Sequence, residues 1–397
     1  MRKFAFWIVL ALVVRLVLIP VTLHPDFRAV NLAGYLIAQK GQLLSFYDYL
    51  SHQPRTDHWV NLYGDNLFIY PPPAYLIHAL FNGLLFHLYP QSAFFTLLND
   101  IGQLRLDPGF PLLMYLLKLP YLLADIGCFL LLKKLLPEKH LRAGLLFWLF
   151  NPVTIYSAYL VGQFDIFIAL CVLLSVYFSS RKQILSPVML GLGAGFKPFV
   201  LVLAPFLPGN VWKNSLIAVA AYGLTLLPYL GSPAFRQYAL FASQSDKLLF
   251  AKIMISGSQF LPLFILGAVL AFWWRYFKPQ SLTVIGWLSL PLLLFYSVTH
   301  FHPQWFTWIA PLLTLSFATH KSTRLPIIIL IGLYLFTVMF FEPSLNFGLF
   351  GVNFSLFSFV NNFYSADQLV SVIRGLFAST AAYIILISRS SPHEASR

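Results

Sequence analysis

Charge is what this chain has least of. Only 10% of its 397 residues are Asp, Glu, Lys or Arg, where a soluble protein carries about 25%. That scarcity excludes a water-soluble chain of two or three domains. Cysteine is almost missing too. Cys128 and Cys171 both lie in apolar runs, so there is no disulfide framework and no cysteine metal spacing. Acid is the rarer sign, 13 acidic against 26 basic residues for a net charge of +13. The excess invites a nucleic-acid reading, but no basic face or recognition motif accompanies it. Basic loops on one side of a membrane account for it instead.

What the chain has in abundance is hydrocarbon. It is 59% hydrophobic, with a mean hydropathy of +0.75. Apolar stretches of about 17–22 residues recur from end to end, each long enough to cross roughly 30 Å of bilayer core. The sequence therefore predicts an all-α polytopic membrane protein, a single domain over 1–397. Crossings are expected at 4–23, 110–132, 143–161, 165–181, 213–230, 258–275, 281–299, 305–319, 325–341 and 368–388. Residues 24–109 form a large first outer loop with juxtamembrane helices. The helix of "YPPPAYLIHALFNGLLFHLYP" lies along the outer surface or re-enters, because a crossing there would reverse every later helix. "LSPVMLGLGAGFKPFVLVLAPFLPG" is broken by glycines, Lys197 and prolines. It reads as two half-helices returning to one side, a break tolerated where protein shields the backbone.

The opening "MRKFAFWIVLALVVRLVLIPVTL" is too long in its apolar core for a signal peptide, is interrupted by Arg15 and lacks a small-residue cleavage site. It reads as a retained first helix held by Arg2 and Lys3 on the cytoplasmic side. On this map "KKLLPEKHLR", "SSRKQ" and "HKSTR" all fall inside, as the positive-inside rule requires, and both termini are cytoplasmic. Most acids fall outside. A short chain with spare loops points to a prokaryotic plasma membrane.

Four polar clusters then share the outer face: "HPDF" at 24–27, "YPPP" at 70–73, "VGQFD" at 161–165 and "THFHPQW" at 299–305. Each ends a hydrophobic helix, so their side chains are expected to converge on one cavity. Asp26 reads either as a general base at the membrane interface, since a desolvated carboxylate takes up a proton more readily, or as the N-cap of a helix starting near Arg28. His300, His302, Gln304 and Trp305 suit a polar substrate, with Trp305 stacking on its apolar face; a structural turn is the alternative. His-x-His without a third ligand does not make a metal site. Gln163 and Asp165 contact substrate hydroxyls, support the base or simply form a polar turn. "YPPP" sets geometry, and Tyr70 lines the cavity. Arg236, Lys247 and Lys252, in "SPAFRQYALFASQSDKLLFAKIM", hold a lipid phosphate or anchor to headgroups. Charges within helices mark function or tight pairing. Arg15 and Asp125 are expected to pair across the bundle, while Lys197 falls on the cytoplasmic half, away from the site.

With these residues in view, the chain resembles the GT-C superfamily of integral-membrane glycosyltransferases. It is most similar to the polyprenyl-phosphate-sugar users related to GPI mannosyltransferases and their bacterial counterparts. The likeness runs through most of the chain: a first helix ending in an acid, the Pro71–Pro73 helix, "KLPYLLADIGCFLL", "NPVTIYSAYLVGQFD", "LGAGFKPF" and "HPQWFTWIAPLL". It implies that Asp26 is the catalytic carboxylate, the donor a polyprenyl-phosphate-linked sugar such as mannose, and the acceptor a lipid or glycan. Many relatives carry paired acids here, whereas Pro25 and Phe27 flank Asp26. One carboxylate is a poor divalent-ion site, so a metal-independent, cofactor-free inverting transfer is expected. A multispanning transporter or flippase of lipid-linked sugars is the alternative from another class. It predicts internal repeats and polar residues at the bilayer midplane, neither of which the sequence displays.

Overall fold

The computed structural model describes residues 2–241 and 243–389. The extreme ends expected on the cytoplasmic side, Met1 and 390–397, lie outside the described residues. The chain is mostly helical. Its helices are α1 Arg2–Leu18, α2 Phe27–Lys40, α3 His58–Tyr63, α4 Pro72–Leu85, α5 Gln91–Asn99, α6 Phe110–Leu135, α7 Glu138–Leu149, α8 Pro152–Ile155, α9 Asp165–Ser179, α10 Leu185–Ala194, α11 Val211–Leu226, α12 Leu263–Phe277, α13 Val284–Val298, α14 Ala310–Thr319, α15 Arg324–Val338, α16 Leu356–Asn361 and α17 Ala366–Ile387.

Among the described residues four helical stretches are long and apolar enough to cross a membrane: Phe110–Leu135, Glu138–Val161, Lys321–Val338 and Ala366–Ile387. Six shorter apolar helices accompany them. Apolar side chains also cover the outside of the bundle. Val9, Val13 and Val17 on α1, Leu216 and Leu224 on α11, and Val372 and Leu376 on α17 are all exposed. Helices apolar on the outside as well as the inside are what a lipid surround requires. One departure from the all-α expectation is a small antiparallel hairpin, β1 Lys252–Ser256 paired with β2 Gln259–Pro262. The helix in the stretch where a crossing was expected from 258 begins at Leu263, after the hairpin.

Residues 24–109, read as a loop, form a packed helical layer. Gly34 of α2 lies so close to α4 that an added Cβ would stand 2.9 Å from Asn82 Nδ2 and 3.1 Å from the His78 backbone. Pro71–Pro73 start α4, where a missing amide hydrogen costs nothing. His78 of α4 then meets Tyr121 of α6 at 2.7 Å. The expected break at "GFKPF" is present: α10 stops at Ala194, Lys197 is extended, and a 3-10 helix runs Pro198–Phe206. Glycine sets the packing again, since a Cβ on Gly191 would stand 2.4 Å from Ala218 O on α11.

The expected pair of Arg15 and Asp125 ties α1 to α6 at 2.6 Å, fully buried. Trp148 and Tyr159 donate to the same carboxylate at 2.7 and 2.6 Å. Lys118 nearby donates to the carbonyls of Ile19 and Tyr159 at 2.9 and 2.7 Å and also to Thr22 O. These buried charges hold α1, α6 and the Tyr156–Val161 turn together.

Candidate functional site

Asp26 stands immediately before α2 but caps none of its amides, so its carboxylate is left for other work. Its side chain is 41% exposed. Oδ2 accepts from the Tyr70 hydroxyl and from Gln163 Nε2, both at 3.3 Å. Tyr70 is fixed from both sides: Tyr47 Oη donates to its carbonyl at 2.6 Å, and its own amide donates to Tyr75 Oη at 3.0 Å. Burial, and then the Asp26 charge, raise the Tyr70 phenol well above its usual pKa, so it remains a donor to the carboxylate. Gln163 reaches Asp26 because Gly162 before it turns the chain at φ +76°. A Cβ there would stand 3.1 Å from Lys118 Cε and would also be strained.

His24 backs the carboxylate. Its Nδ1 accepts from the Asp26 amide at 3.2 Å and lies 3.6 Å from Asp26 Oδ1. Nε2 therefore carries the hydrogen and donates to Ser344 Oγ at 3.2 Å, which donates to Glu342 at 3.0 Å. Burial lowers the His24 pKa despite the neighbouring acid, so the ring is neutral.

Two residues beyond Gln163, Asp165 opens α9 and is completely buried. Lys197 grips it with Nζ at 2.8 and 3.0 Å, and Trp308 Nε1 donates to it at 2.6 Å. The Lys197 ammonium also sits 5.0–5.7 Å from the rings of Phe164, Trp305, Tyr70 and Trp308. The expectation that Lys197 lies away from the site is thus corrected. A desolvated ammonium and a desolvated carboxylate are each costly alone, and the break at Lys197 lets the two meet.

Two cavities share one wall here. The larger, of about 520 Å³, is an apolar groove between the Pro198–Phe206 segment and α12. Val202, Pro205, Phe206, Ala268 and Phe272 line its body, while Tyr70, Lys197, Lys247 and Trp305 close its end. Ile265 and Val269, on its rim, are exposed. The smaller, of about 250 Å³, is bounded by Pro25, Asp26, Arg28, Tyr63, Asn66 and Leu67. Ile69 and Tyr70 belong to both.

The Lys247 ammonium rests 4.8 Å over the Trp305 ring. Burial, followed by repulsion from Lys197, pushes its pKa down to about 8. His302 stacks beside Trp305, ring centroids 5.4 Å apart. Burial and then Lys247 push it down to about 3, so it is a neutral imidazole. His300 lies 6.4 Å from it and against Phe341. Gln304 is buried below them, its Oε1 without a partner among the described residues.

The four clusters therefore converge. Asp26, Tyr70 and Gln163 touch directly; Asp165, Trp305 and Lys247 gather round Lys197; His300, His302 and Gln304 lie behind Trp305. Two residues expected at the phosphate lie elsewhere. Arg236 donates to Leu230 O at 2.7 Å, and Lys252 covers the Phe260 ring within the hairpin at 4.6 Å. Neither lines either of these cavities. Trp305 has lysines rather than open space over its ring. Sequence reasoning gave no site role to Trp308 or Arg28, named His24 only as part of its cluster and put Lys197 away from the site. The signal for Lys197 was visible, a lone cation in an otherwise apolar segment broken by glycine and proline.

Comparison with protein-family models, curated proteins and solved structures finds no match to this chain.

Proposed function

We propose that this protein is a membrane glycosyltransferase of GT-C type, moving a sugar such as mannose from a polyprenyl-phosphate donor to an acceptor hydroxyl. The observation that carries the reading is the meeting of two unlike cavities at Tyr70. One is an apolar groove lined by two ammonium groups, and the other is smaller, more polar and holds a half-exposed carboxylate. A polyprenyl tail fits the first by its chemistry, and its single phosphate charge fits Lys247, which has no ion-pair partner among the described residues. An acceptor enters the second. The finer topology belongs to the same reading: about ten crossings, a re-entrant 185–209, an outer-surface layer at 24–109 and a site on the outer face of a prokaryotic plasma membrane, with both termini cytoplasmic. It is supported by the gathering of four helix-end clusters in one place.

The chemistry then follows from the geometry. Asp26, held by Tyr70 and Gln163, accepts the proton of the acceptor hydroxyl as that oxygen bonds to the anomeric carbon opposite the phosphate. The bond from that carbon to the phosphate oxygen breaks, and its electron pair leaves with the phosphate. The Lys247 ammonium, with Lys197 beside it, faces that charge in a low-dielectric groove. One displacement inverts the anomeric centre. His302, a neutral donor or acceptor, orients the headgroup.

The test is transfer by the purified protein in liposomes, fed radiolabelled polyprenyl-phosphate mannose with a mixture of glycan and lipid acceptors. Asp26→Asn is expected to lower the rate about 10²–10⁴-fold, the worth of a general base, with an unchanged elution profile. Equal transfer by both proteins moves the base elsewhere. Absence of transfer from every sugar donor tried removes the enzyme reading in favour of transport.

A further inference from the structure

The smaller cavity has a chemistry of its own. Its lining carries two charges, Asp26 and Arg28, and these cancel. The groove beside it carries two lysines and no acid; Asp165 neutralises Lys197 from behind, so Lys247 leaves a net positive charge. An anion is drawn to the groove and gains nothing in the smaller cavity, where a carboxylate would face it. At about half the groove's volume and with a more polar lining, the smaller cavity suits a sugar ring better than a lipid tail.

Arg28 is positioned as a ligand-binding group. Its Nε reaches back to Pro25 O at 3.4 Å, and its guanidinium lies 5.3 Å over the Tyr63 ring. Tyr63 is itself pinned by a hydrogen bond from its hydroxyl to Leu98 O. Among the described residues Arg28 has no carboxylate partner. A guanidinium presents donors in a fork that suits two adjacent oxygens. Asp26, in the lining of the same cavity, offers an acceptor. Donors and an acceptor in one small cavity match the vicinal hydroxyls of an uncharged sugar ring.

We propose that this cavity is an acceptor subsite for a neutral sugar, with Arg28 gripping two of its hydroxyls. The assignment rests on the transferase reading for its role and on the cavity's charge balance for its ligand class. A phosphorylated sugar or the hydroxyl of a lipid tail is a poor occupant.

The experiment is saturation-transfer NMR on the full-length protein in nanodiscs, with mannobiose and mannose 6-phosphate as the two probes. Mannobiose is expected to bind, and mannose 6-phosphate to bind more weakly. Arg28→Gln should weaken mannobiose binding about tenfold or more, the loss of a charge-assisted contact. Arg28→Lys, which keeps the charge but not the fork, should fall between. Quenching of tryptophan fluorescence by polyprenyl phosphate, retained in both variants, reports that they are folded. Mannobiose binding indifferent to Arg28, or tighter binding of the phosphorylated sugar, overturns the assignment. The two readings fail separately. Arg28-dependent mannobiose binding without any transfer leaves the sugar site standing and the transferase reading fallen. Transfer with binding indifferent to Arg28 does the reverse.

Discussion

Two buried ion pairs of similar chemistry, Arg15–Asp125 and Lys197–Asp165, sit in different surroundings, and the difference separates scaffold from site. Asp125 is closed in: Arg15, Trp148 and Tyr159 occupy its oxygens, and Arg15 donates onward to Leu149 O at 2.8 Å. Neither of the two cavities touches it. Asp165 is just as deeply buried and just as fully bonded, yet its cation forms the end wall of a groove large enough for a ligand. Both pairs bear the cost of desolvation. The first returns it as attachment of α1 to the bundle. The second also holds an ammonium beside an apolar groove, where an anion would meet it.

That contrast can be broken by substitution. The largest effect on stability is expected from Asp125→Asn, which strands Arg15 and should cost about 3–5 kcal/mol, read by thermal unfolding in detergent. Asp165→Asn strands Lys197 beside a cavity that water or an anion can enter, so its loss should be smaller, on the order of 1–3 kcal/mol. Polyprenyl phosphate should recover part of the melting temperature of Asp165→Asn, since a ligand that binds only the folded state stabilises it, and none of the specific loss in Asp125→Asn. Equal losses with equal rescue would remove the distinction between the pairs.

A pH titration sharpens the functional side. Lys247 is charged below about 8 and neutral above it, so affinity for polyprenyl phosphate should fall as pH rises through that value. Bound phosphate favours the ammonium and moves the midpoint upward. Lys247→Arg, charged throughout, should give a flat profile over the same range, measured by tryptophan quenching. A wild-type profile as flat as that of Lys247→Arg would place the phosphate elsewhere. The smallest effect is expected from Arg236→Gln and Lys252→Gln, which touch neither cavity. Each should change donor affinity by less than about 0.5 kcal/mol, as surface substitutions do.

Much of the fold was legible because membrane spans announce themselves one at a time. A run such as Phe110–Leu135 needs no partner to be recognised as apolar and long. The pairing of Arg15 with Asp125 was also legible, because two lone opposite charges in hydrocarbon have few other solutions. The hairpin at Lys252–Pro262 was not. It follows an aromatic-rich segment and leads straight into α12, so its few residues merged with the next apolar run.

The sequence by itself determined that this is a helical chain built for lipid, with its rare polar residues clustered at helix ends and Asp26 foremost among them. Composition and periodicity are local properties, and they suffice for that. Only the tertiary structure decided which polar residues meet. Lys197 and Asp165 are separated by two helices, α9 and α10, and a charge ledger had put them on opposite sides. They pair because a broken helix turns one buried charge toward the other, and among the described residues neither has another ion-pair partner. Likewise Arg236, Lys247 and Lys252 are indistinguishable as letters in one segment. Only packing puts Lys247 over Trp305 in the lining of the groove and leaves the other two on backbone and hairpin.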